Sequence, residues 1–385
     1  MNHPMGHPTW VEISKEALKT NIKQIRNIIG SEKILAPCVK ANAYGHGLVL
    51  ASKVFLENGA DWLSVNSLYE AKTLRENGIS AAIYIMGYVG LDELEELAKM
   101  TDVRIVVYNR ETIEKLRVVL EKFSKKIKVH LKAETGNNRQ GLVKDELIDF
   151  AKFVLNHKNI EIEGLATHFA NIEDTTDHSY AMRQLEKFLD TYDSLKEVGI
   201  TVPIRHCANS AATILFPETH FEMVRAGISS YGMWPSKETK ISAQQSGRNN
   251  LSLSPAFSWK TKIAQIKTIP KDEYIGYGCS YKTSHETRLA ILPVGYYDGY
   301  DRKLSSAGAY VLINGKRAPI RGRVCMNISM ADVTDIPEAK LEDEVVLMGG
   351  SGQEEISAEL FSTWANTINY EVTTRVNERI PRILI

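Results

Sequence analysis

The residues with the clearest chemical potential begin with a lysine at the end of an apolar run. Residues 34–39 are mostly apolar and lead into Lys40, and a polar turn rich in glycine separates Lys40 from a helical pattern that begins near Leu48. This order predicts that Lys40 lies at the carboxyl end of a buried strand, where α/β folds place their chemistry. On spacing alone, the alternative is an ordinary lysine at a solvated strand end.

Three other segments place polar side chains where strands or turns end. His168 ends an apolar strand-like run, where a histidine is usually a satisfied structural group. Asn209 and Ser210 follow another run, and their simplest role is to cap a helix, although the N–H groups of a helix start and a serine hydroxyl also suit an anion. Tyr277 lies between two glycines, as an exposed turn residue would. Spacing alone leaves a structural role open at each position.

The elements that must position these residues alternate regularly through the first 230 residues. Strand-like apolar runs cover 34–40, 62–66, 81–87, 103–108, 127–134, 162–169, 203–208 and 222–228, and helical patterns such as 92–99, 110–123 and 177–198 lie between them. Eight such runs predict an α/β fold, a parallel (β/α)8 barrel of the TIM type with its helices outside. A doubly wound open sheet is the alternative, and it would place a site at its switch point instead of around a carboxyl rim.

The pattern changes near both ends of this region. Residues 9–13 alternate like a short strand, and Ser14 is the predicted cap of a helix. The polar residues 235–250 predict a linker, and short β-patterned segments separated by turns such as Asn314-Gly315 follow it. We therefore expect an N-terminal strand (1–13) that joins a C-terminal domain, a barrel (14–250) and a mainly β domain (251–385).

The composition excludes several classes of protein. Apolar residues make up 43% and charged residues 24% of the 385 residues, which is typical of a globular protein. Lys+Arg and Asp+Glu both number 47, so no charge-driven binding of nucleic acid is expected. The four cysteines are far apart in sequence and form no Cys-x-x-Cys pair, so neither a zinc site nor a disulfide framework is indicated.

The sequence also predicts the cellular compartment of the protein. The first eight residues lack the apolar core of a signal peptide. No run approaches the roughly 18 apolar residues that a membrane span needs. We expect a cytoplasmic protein without a membrane partner.

The segment around Lys40 resembles a known motif. Residues 39–47, Val-Lys-Ala-Asn-Ala-Tyr-Gly-His-Gly, are similar to the cofactor-lysine motif of the alanine racemase family, barrel enzymes that use pyridoxal 5'-phosphate (PLP). The resemblance implies that Lys40 holds PLP covalently and that Tyr44 contacts its phosphate. It extends from Thr9 to Arg382 and is weakest over 90–125 and 235–255.

The fifth predicted strand carries a second matching segment. Residues 130–141 resemble the family's H-L-K-x-D-T-G-x-x-R-x-G, with Glu134 in place of the usual aspartate. The resemblance implies that Arg139 binds the phenolic oxygen of PLP and the substrate carboxylate, as suits a planar guanidinium. In many members the lysine that matches Lys132 is carbamylated by CO2. The alternative for Lys132 is an ordinary ion pair with Glu134.

Three later segments supply further cofactor residues by resemblance. The Thr-His-Phe-Ala segment implies that His168 orients a catalytic tyrosine from the second domain. Residues 206–212 match H-x-A-N-S-A-A and imply that Asn209 and Ser210 bind the phosphate. Residues 224–232 match V-R-x-G-I-S-x-Y-G, so the N–H groups of Gly227 and Ile228 are expected to complete the phosphate site. In the same segment Arg225 is expected to face the pyridine nitrogen, which keeps that nitrogen unprotonated and suppresses side reactions such as transamination.

The second domain supplies the remaining residues by resemblance. Tyr277 matches the family's second catalytic base, which in the family reaches the PLP of a neighbouring subunit, so a head-to-tail homodimer is implied. Tyr296, Arg302 and Arg323 match the substrate access corridor, and the N–H of Met326 matches a contact with the substrate carboxylate. Asn327 replaces the usual aspartate. Tyr370 matches a tyrosine that contacts the phosphate and favours a small substrate side chain.

Together the matches imply racemisation of L-alanine to D-alanine, a peptidoglycan precursor, with Lys40 and Tyr277 as the two bases. The departures at Glu134, Gln140 and Asn327 leave a racemase of serine or of several amino acids open. A PLP decarboxylase of the same barrel type is disfavoured by Arg225, because such enzymes generally place an acid there. A PLP-binding protein without turnover and an interaction scaffold are the non-enzymatic alternatives.

Overall fold

The computed structural model describes residues 7–248 and 251–385. These residues form two compact units. The β unit contains the described residues up to Lys15 together with Tyr44–Gly47 and Pro255–Ile385, and the barrel unit contains Glu16–Ala43 and the described part of Leu48–Ser254. Residues 1–6 of the predicted N-terminal segment and residues 249–250 of the predicted linker lie outside the described part of the chain.

Short parallel strands form the centre of the barrel unit. After a first strand in the β unit, β1 (Trp10–Ile13), the strands of the barrel unit are β2 (Ile34–Leu35), β3 (Trp62–Val65), β4 (Ala82–Ile85), β5 (Val103–Val107), β6 (Ile127–Lys132), β7 (Ile160–Ala166), β8 (Ile204–His206) and β9 (Met223–Val224). Each of these eight strands overlaps one of the predicted apolar runs. The barrel prediction is thereby confirmed at the level of its elements.

Hydrogen bonds between the first and last strands close the sheet. Strands β3 to β8 pair in sequence order, and β2 pairs with β9 in parallel. A parallel bridge between Cys38 and Ser64 joins the chain after β2 to β3. On the other side, the Arg225 N–H donates to the Ala208 carbonyl at 3.1 Å, beyond the ends of β9 and β8. The open-sheet alternative is therefore wrong.

Helices follow the strands, and most have the apolar stripe that burial against a barrel requires. They are α1 (Lys15–Ile29), α2 (Lys40–Tyr44), α3 (Leu48–Glu57), α4 (Leu68–Glu76), α5 (Leu94–Lys99), α6 (Arg110–Phe123), α7 (Lys144–Leu155), α8 (Ser179–Glu197), α9 (Ser210–Leu215) and α10 (Lys237–Gln245). In α1, the side chains of Leu18, Ile22 and Ile25 are fully buried. Single 3-10 turns follow at Pro217–Thr219 and Ile228–Tyr231.

The prediction that residues 235–250 form a linker is wrong. Helix α10 occupies most of residues 235–250, and its first turn is capped by the Ser236 hydroxyl, which accepts from the Thr239 N–H at 2.9 Å. Ser242 and Ala243 are buried. The segment carries too few large apolar residues for its helical period to be visible in the sequence.

The β unit contains two main sheets, one antiparallel and one antiparallel except for a single parallel pair of strands. Its further elements are β10 (Phe257–Lys262), β11 (Gln265–Ile269), β12 (Tyr274–Ile275), β13 (Tyr281–Lys282), β14 (Thr287–Leu292), β15 (Tyr310–Ile313), β16 (Lys316–Pro319), β17 (Ser329–Asp332), β18 (Glu344–Ser351), β19 (Glu354–Ile356), α11 (Ala358–Ala365), α12 (Asn369–Arg375) and β20 (Arg382–Leu384), with 3-10 turns at Tyr277–Cys279, Tyr296–Asp298 and Arg302–Ser305. One sheet has the order β16-β15-β18-β10-β1-β20, and the other has the order β11-β14-β17. Strand β1 is antiparallel to β10 and parallel to β20. As predicted, Asn314 and Gly315 form the turn between β15 and β16, both with positive φ.

Candidate active site

Cationic side chains gather on the rim formed by the carboxyl ends of the barrel strands. Lys40 follows β2, Lys132 ends β6, and Arg225 follows β9. Burial lowers the pKa of His168, which follows β7, well below its ordinary value, and the charges of Lys132, Arg225, Arg139 and Lys40 lower it further. All four groups therefore lie near one imidazole on the rim. A cluster of positive groups suits an anion.

Lys132 is the most perturbed amine of this group. Burial, reinforced by the positive charges of Arg225 and Arg139, lowers its pKa to about 7. The predicted alternative, an ion pair with Glu134, is wrong: among the described residues Lys132 forms no ion pair within 4 Å. The amine is therefore partly uncharged at neutral pH.

Glu134 instead organises the loop that carries Arg139. Its Oε1 accepts from the Gly136 N–H and its Oε2 accepts from the Arg139 N–H at 3.3 Å. Burial would raise the pKa of this carboxyl, but the hydrogen bonds from the backbone of residues 136–139 outweigh burial and lower it. The longer glutamate thus stays charged and fixes the backbone from which the exposed Arg139 projects.

Arg225 is buried and paired with neutral groups. Its Nη2 donates to the Thr167 carbonyl at 3.0 Å, and its Nη1 contacts Nδ1 of His206. Only 5% of the residue is exposed, and among the described residues no carboxylate lies within ion-pair distance of it. The guanidinium can therefore present its positive charge to a ligand on the rim.

A cluster of hydroxyl and N–H groups lies beside these cations. The Ser210 Oγ at the start of α9 accepts from the N–H of Gly227 at 2.8 Å and from the N–H of Ser229 at 3.2 Å. Asn209 caps the same helix by accepting from the Ala212 N–H at 3.0 Å. The buried hydroxyl of Ser230 lacks a hydrogen-bond partner within the described residues. This cradle of donors fits a phosphate group.

A left-handed turn follows Lys40 directly. Residues 41–44 all have φ between 53° and 54°. For L residues this conformation costs about 1–2 kcal/mol each, so the surroundings must hold it in place. The Ala41 N–H donates to Oε1 of Glu70 at 2.7 Å, which provides part of that support. The turn sets the direction in which the chain leaves Lys40.

Two predicted phosphate contacts lie together in the β unit. The rings of Tyr44 and Tyr370 are 6.1 Å apart, and Tyr44 is buried. The backbone beside Tyr44 is fixed, because Nε of Arg382 donates to the Gly45 carbonyl at 3.0 Å. A Cβ on Gly45 would lie 2.1 Å from the Thr373 carbonyl oxygen, so this close approach requires glycine.

Two predicted substrate residues of the second domain, Tyr296 and Met326, lie on segments that are hydrogen-bonded to each other. The N–H groups of Tyr296 and Tyr297 donate to the carbonyls of Cys325 and Met326 at 3.0 and 2.9 Å. Tyr277 lies in the turn between β12 and β13 and is 72% exposed, while Tyr296 and Met326 are 44% and 56% exposed. The β unit therefore presents these three residues to solvent.

The departure at position 327 has a structural partner. Asn327 Nδ2 donates to Oδ2 of Asp298 at 3.2 Å, and that carboxylate also accepts from the Gly295 N–H at 2.9 Å. The Asn327 amide therefore gives the buried Asp298 carboxylate a hydrogen-bond donor. An aspartate at 327 would have to make this contact with a proton or not at all.

Sequence reasoning missed the residues that hold Arg225. His206 was quoted only as part of a motif, and His130 and Glu163, which continue the same hydrogen-bonded network, received no role. A signal was present: Lys128, His130 and Lys132 alternate in polarity along β6, which places three polar groups on one face of a barrel strand.

The described residues contain neither a membrane-spanning helix nor a group of metal ligands. Within 7–248 and 251–385, no helix is long and apolar enough to cross a bilayer. In the same residues, no three side chains of His, Cys, Asp or Glu are grouped as metal ligands.

The chain matches known protein families over nearly its whole length. Residues 13–235 match the model "Alanine racemase, N-terminal domain", and residues 256–384 match "Alanine racemase, C-terminal domain". The alanine racemase of Methanococcus maripaludis is 40% identical over 382 residues, which cover 99% of this chain and 100% of the relative. That of Halothermothrix orenii is 42% identical over 382 residues, which cover 99% of this chain and 98% of the relative.

Solved structures give the same result. A crystal structure of alanine racemase from Bacillus anthracis with bound L-Ala-P has a TM-score of 0.92 and 37% identity, covering 100% of this chain and 96% of that one. Alanine racemase from Clostridium difficile 630 has a TM-score of 0.92 and 32% identity, covering 99% and 97%. The chain belongs to the alanine racemase family of PLP-dependent isomerases.

Proposed function

We propose that this chain interconverts L-alanine and D-alanine with PLP bound at the carboxyl rim of the barrel. One observation carries the proposal: Lys40, Lys132, Arg139 and Arg225 all lie near His168 on this rim, and the N–H of Gly227, two residues after Arg225, donates to the Ser210 hydroxyl of the donor cradle. An aromatic ring that bears a phosphate and a phenolate matches both halves of this site. The alanine racemase of Bacillus anthracis, which resembles this chain throughout, was solved with L-Ala-P bound.

The residues that would hold the cofactor fall into two groups, those that would contact its ring and those that would contact its phosphate. Lys40 would hold the cofactor covalently, Arg225 would face its ring nitrogen and Arg139 would bind its phenolic oxygen. The proposed phosphate ligands are Tyr44, Asn209, Ser210, Gly227, Ile228 and Tyr370. Burial of Ser210, Gly227 and Ile228 supports this assignment, because N–H donors out of water bind an anion strongly.

The reaction requires one proton to leave and another to arrive on the opposite face of Cα. When bound, PLP disperses the negative charge that develops at Cα as the proton departs. Lys40 transfers the proton on one face of Cα, and Tyr277 of the partner subunit transfers the proton on the opposite face, in a head-to-tail homodimer. His168 orients that tyrosine. Arg139 and the Met326 N–H hold the substrate carboxylate, Tyr296 lines the route by which the substrate enters, and Tyr370 limits the size of the substrate side chain.

Arg225 favours racemisation over decarboxylation. A guanidinium keeps its own protons and gives a ring nitrogen no counter-charge, whereas a carboxylate would stabilise a protonated ring. The contacts of Arg225 with Thr167 and His206 leave that positive charge uncompensated, which supports the racemase function.

A racemisation screen over alanine, serine, lysine and arginine tests the proposal. Circular dichroism of each amino acid should decay to zero fastest for alanine when the chain is supplied with PLP. The Lys40→Ala variant should lose turnover. Faster decay with serine would make the chain a serine racemase, and normal turnover in Lys40→Ala would refute the role of the lysine.

A further inference from the structure

A chain of hydrogen-bonded side chains runs from Arg225 into the interior of the barrel. Arg225 Nη1 contacts His206 Nδ1, His206 Nε2 lies 2.7 Å from His130 Nδ1, and His130 Nε2 lies 3.2 Å from Glu163 Oε2. All four residues are buried, and neither histidine has any exposed surface. The function proposed above uses only the first member, Arg225. The other three require an explanation, because burying polar groups is costly unless each has a partner.

When both imidazoles are neutral, only one arrangement of protons gives every hydrogen bond in this row of four side chains one donor and one acceptor. An ionised carboxylate can only accept, so His130 must donate from Nε2 to Glu163, which leaves His130 Nδ1 as an acceptor. His206 must then donate from Nε2, and its Nδ1 is left to accept. That acceptor faces Arg225, whose nitrogens can only donate. The direction of every bond thus follows from the carboxylate.

The charge states that this order needs are supported by the surroundings. Burial lowers the pKa of His206 well below its ordinary value, and the positive charge of Arg225 lowers it further. Burial likewise lowers the pKa of His130, although the hydrogen bond to Glu163 opposes the shift. For Glu163, burial would raise the pKa, but hydrogen bonds from His130, Arg104 and Lys128 hold it far below its usual range.

The fold makes specific room for this chain. The pairing of β6 with β7 shifts register, so that Val129 opposes Ile162 while His130 opposes Gly164, and Glu163 is the extra residue. Such irregularities re-aim a side chain. A Cβ on Gly164 would lie 2.4 Å from His130 Nδ1, so any larger residue would displace the imidazole.

Aromatic and ionic contacts fix the far end. The ring of Tyr84 stacks on His130 at 4.7 Å and meets His206 edge-on at 5.1 Å. Nε of Arg104 donates to Oε2 of Glu163 at 2.8 Å, and Lys128 donates to Oε1 at 2.7 Å. Arg104 therefore fixes Oε2, the oxygen that accepts from His130 and sets the hydrogen-bond direction, whereas Lys128 contacts only the other oxygen.

We infer that Glu163 and His130 are positioning residues that act through His206 on Arg225: they hold His206 in the tautomer that accepts from the guanidinium and thereby fix Arg225 on the rim. This inference rests on the proposed function, because Arg225 is useful there as a fixed cation beside the cofactor ring. A network that merely filled the barrel would not need this order of protons.

The first test measures the tautomers in the cofactor-free wild-type protein. Long-range ¹H–¹⁵N correlation spectra of protein labelled in its histidines distinguish a protonated from an unprotonated ring nitrogen, and His206→Asn and His130→Asn variants assign the signals. Nδ1 should be unprotonated and Nε2 protonated in both residues. A proton on His206 Nδ1 would overturn the inference.

The second test breaks the chain at His130. His130→Phe keeps an aromatic ring against Tyr84 but removes the acceptor for His206 Nε2. We expect kcat for alanine to fall about 10- to 100-fold, the range found when outer partners of a site are removed, with KM changed less than kcat. The ratio of pyruvate release, the product of transamination, to racemisation should rise, because Arg225 no longer holds one position.

Lys128→Met is the matched control. It removes a charge from the other carboxylate oxygen of Glu163, outside the proton order, and should leave the tautomer of His206 and the pyruvate ratio unchanged. If His130→Phe kept the wild-type kcat and pyruvate ratio, the inference would be wrong. A wild-type protein with the expected tautomers but no racemase activity would instead refute the proposed function.

Discussion

At Lys132, the environment of one amine changes its chemistry near neutral pH. Burial and the charges of Arg225 and Arg139 lower its pKa to about 7, so it is largely uncharged above that pH, unlike an exposed lysine with a pKa near 10.4. An uncharged amine can add to CO2, and the carbamate that forms is an anion among cations. This supports the carbamylation of Lys132 implied by the family resemblance.

We therefore predict that Lys132 carries a carbamate. With ¹³CO2 at constant pressure, the ¹³C spectrum should show a carbamate signal that grows as the pH rises from 6 to 8, because the deprotonated fraction of the amine increases through its pKa. Lys132→Gln should lack this signal while retaining the fold by far-UV circular dichroism. An equal signal in Lys132→Gln, or none in the wild type at pH 8, would contradict the prediction.

At the scale of elements, the substrate-facing part of the β unit depends on one close backbone contact. A Cβ on Gly295 would lie 2.2 Å from the Cys325 carbonyl oxygen and 2.5 Å from that of Met326. This contact lets the 3-10 turn that carries Tyr296 bond to the segment that carries Met326. The relative position of the two residues therefore follows from a missing side chain.

Gly295→Ala should separate these segments. Because the clash is with backbone oxygens, which cannot rotate away, we expect a loss of about 1–3 kcal/mol in the free energy of unfolding, as for other overpacked sites. Urea unfolding followed by tryptophan fluorescence measures it. Gly350→Ala is the control, because a Cβ there would meet only the Glu354 carbonyl oxygen at 3.9 Å; equal stability of the two variants would count against the proposed contact.

The sequence was most informative about elements with a strong apolar pattern. The eight barrel strands were predictable because each is a short apolar run, and the turn at Asn314-Gly315 because both residues favour positive φ. Helix α10 was not, because its buried positions include Thr239 and Ser242. The left-handed turn after Lys40 was not predictable either, since alanine does not favour that conformation and only the surrounding contacts impose it.

For the candidate site, motifs located residues but not their partners. Arg225 could be named from its segment, yet its bond to His206 depends on which strands are neighbours and how far they are staggered. An ion pair of Glu134 with Lys132 was the alternative to carbamylation, whereas in the structure the N–H groups of the loop backbone bind the carboxylate. Partner choice of this kind is decided by tertiary geometry.

At the scale of the whole molecule, the proposed machinery is divided between two units. The cations and the phosphate cradle belong to the barrel unit, whereas Tyr277, Tyr296 and Met326 belong to the β unit. The β unit also exposes Tyr274 and Ile328, 56% and 46% accessible, near these residues in sequence. These side chains are accessible to a partner subunit in the proposed homodimer.

Mixing two inactive variants tests whether the second base comes from a partner. In Lys40→Ala and Tyr277→Phe, every site of either homodimer lacks one base. In a mixed dimer with head-to-tail active sites, one site lacks both bases and the other has both, so random exchange of subunits should restore about a quarter of the wild-type sites. Co-expression with two different affinity tags, followed by tandem purification, isolates the mixed dimer for a racemisation assay, in which about half of wild-type activity is expected. Wild-type homodimer carrying the same two tags is the control for the tags. If Lys40 and Tyr277 acted within one chain, each subunit of the mixed dimer would still lack a base, and its activity would stay at the level of the single variants.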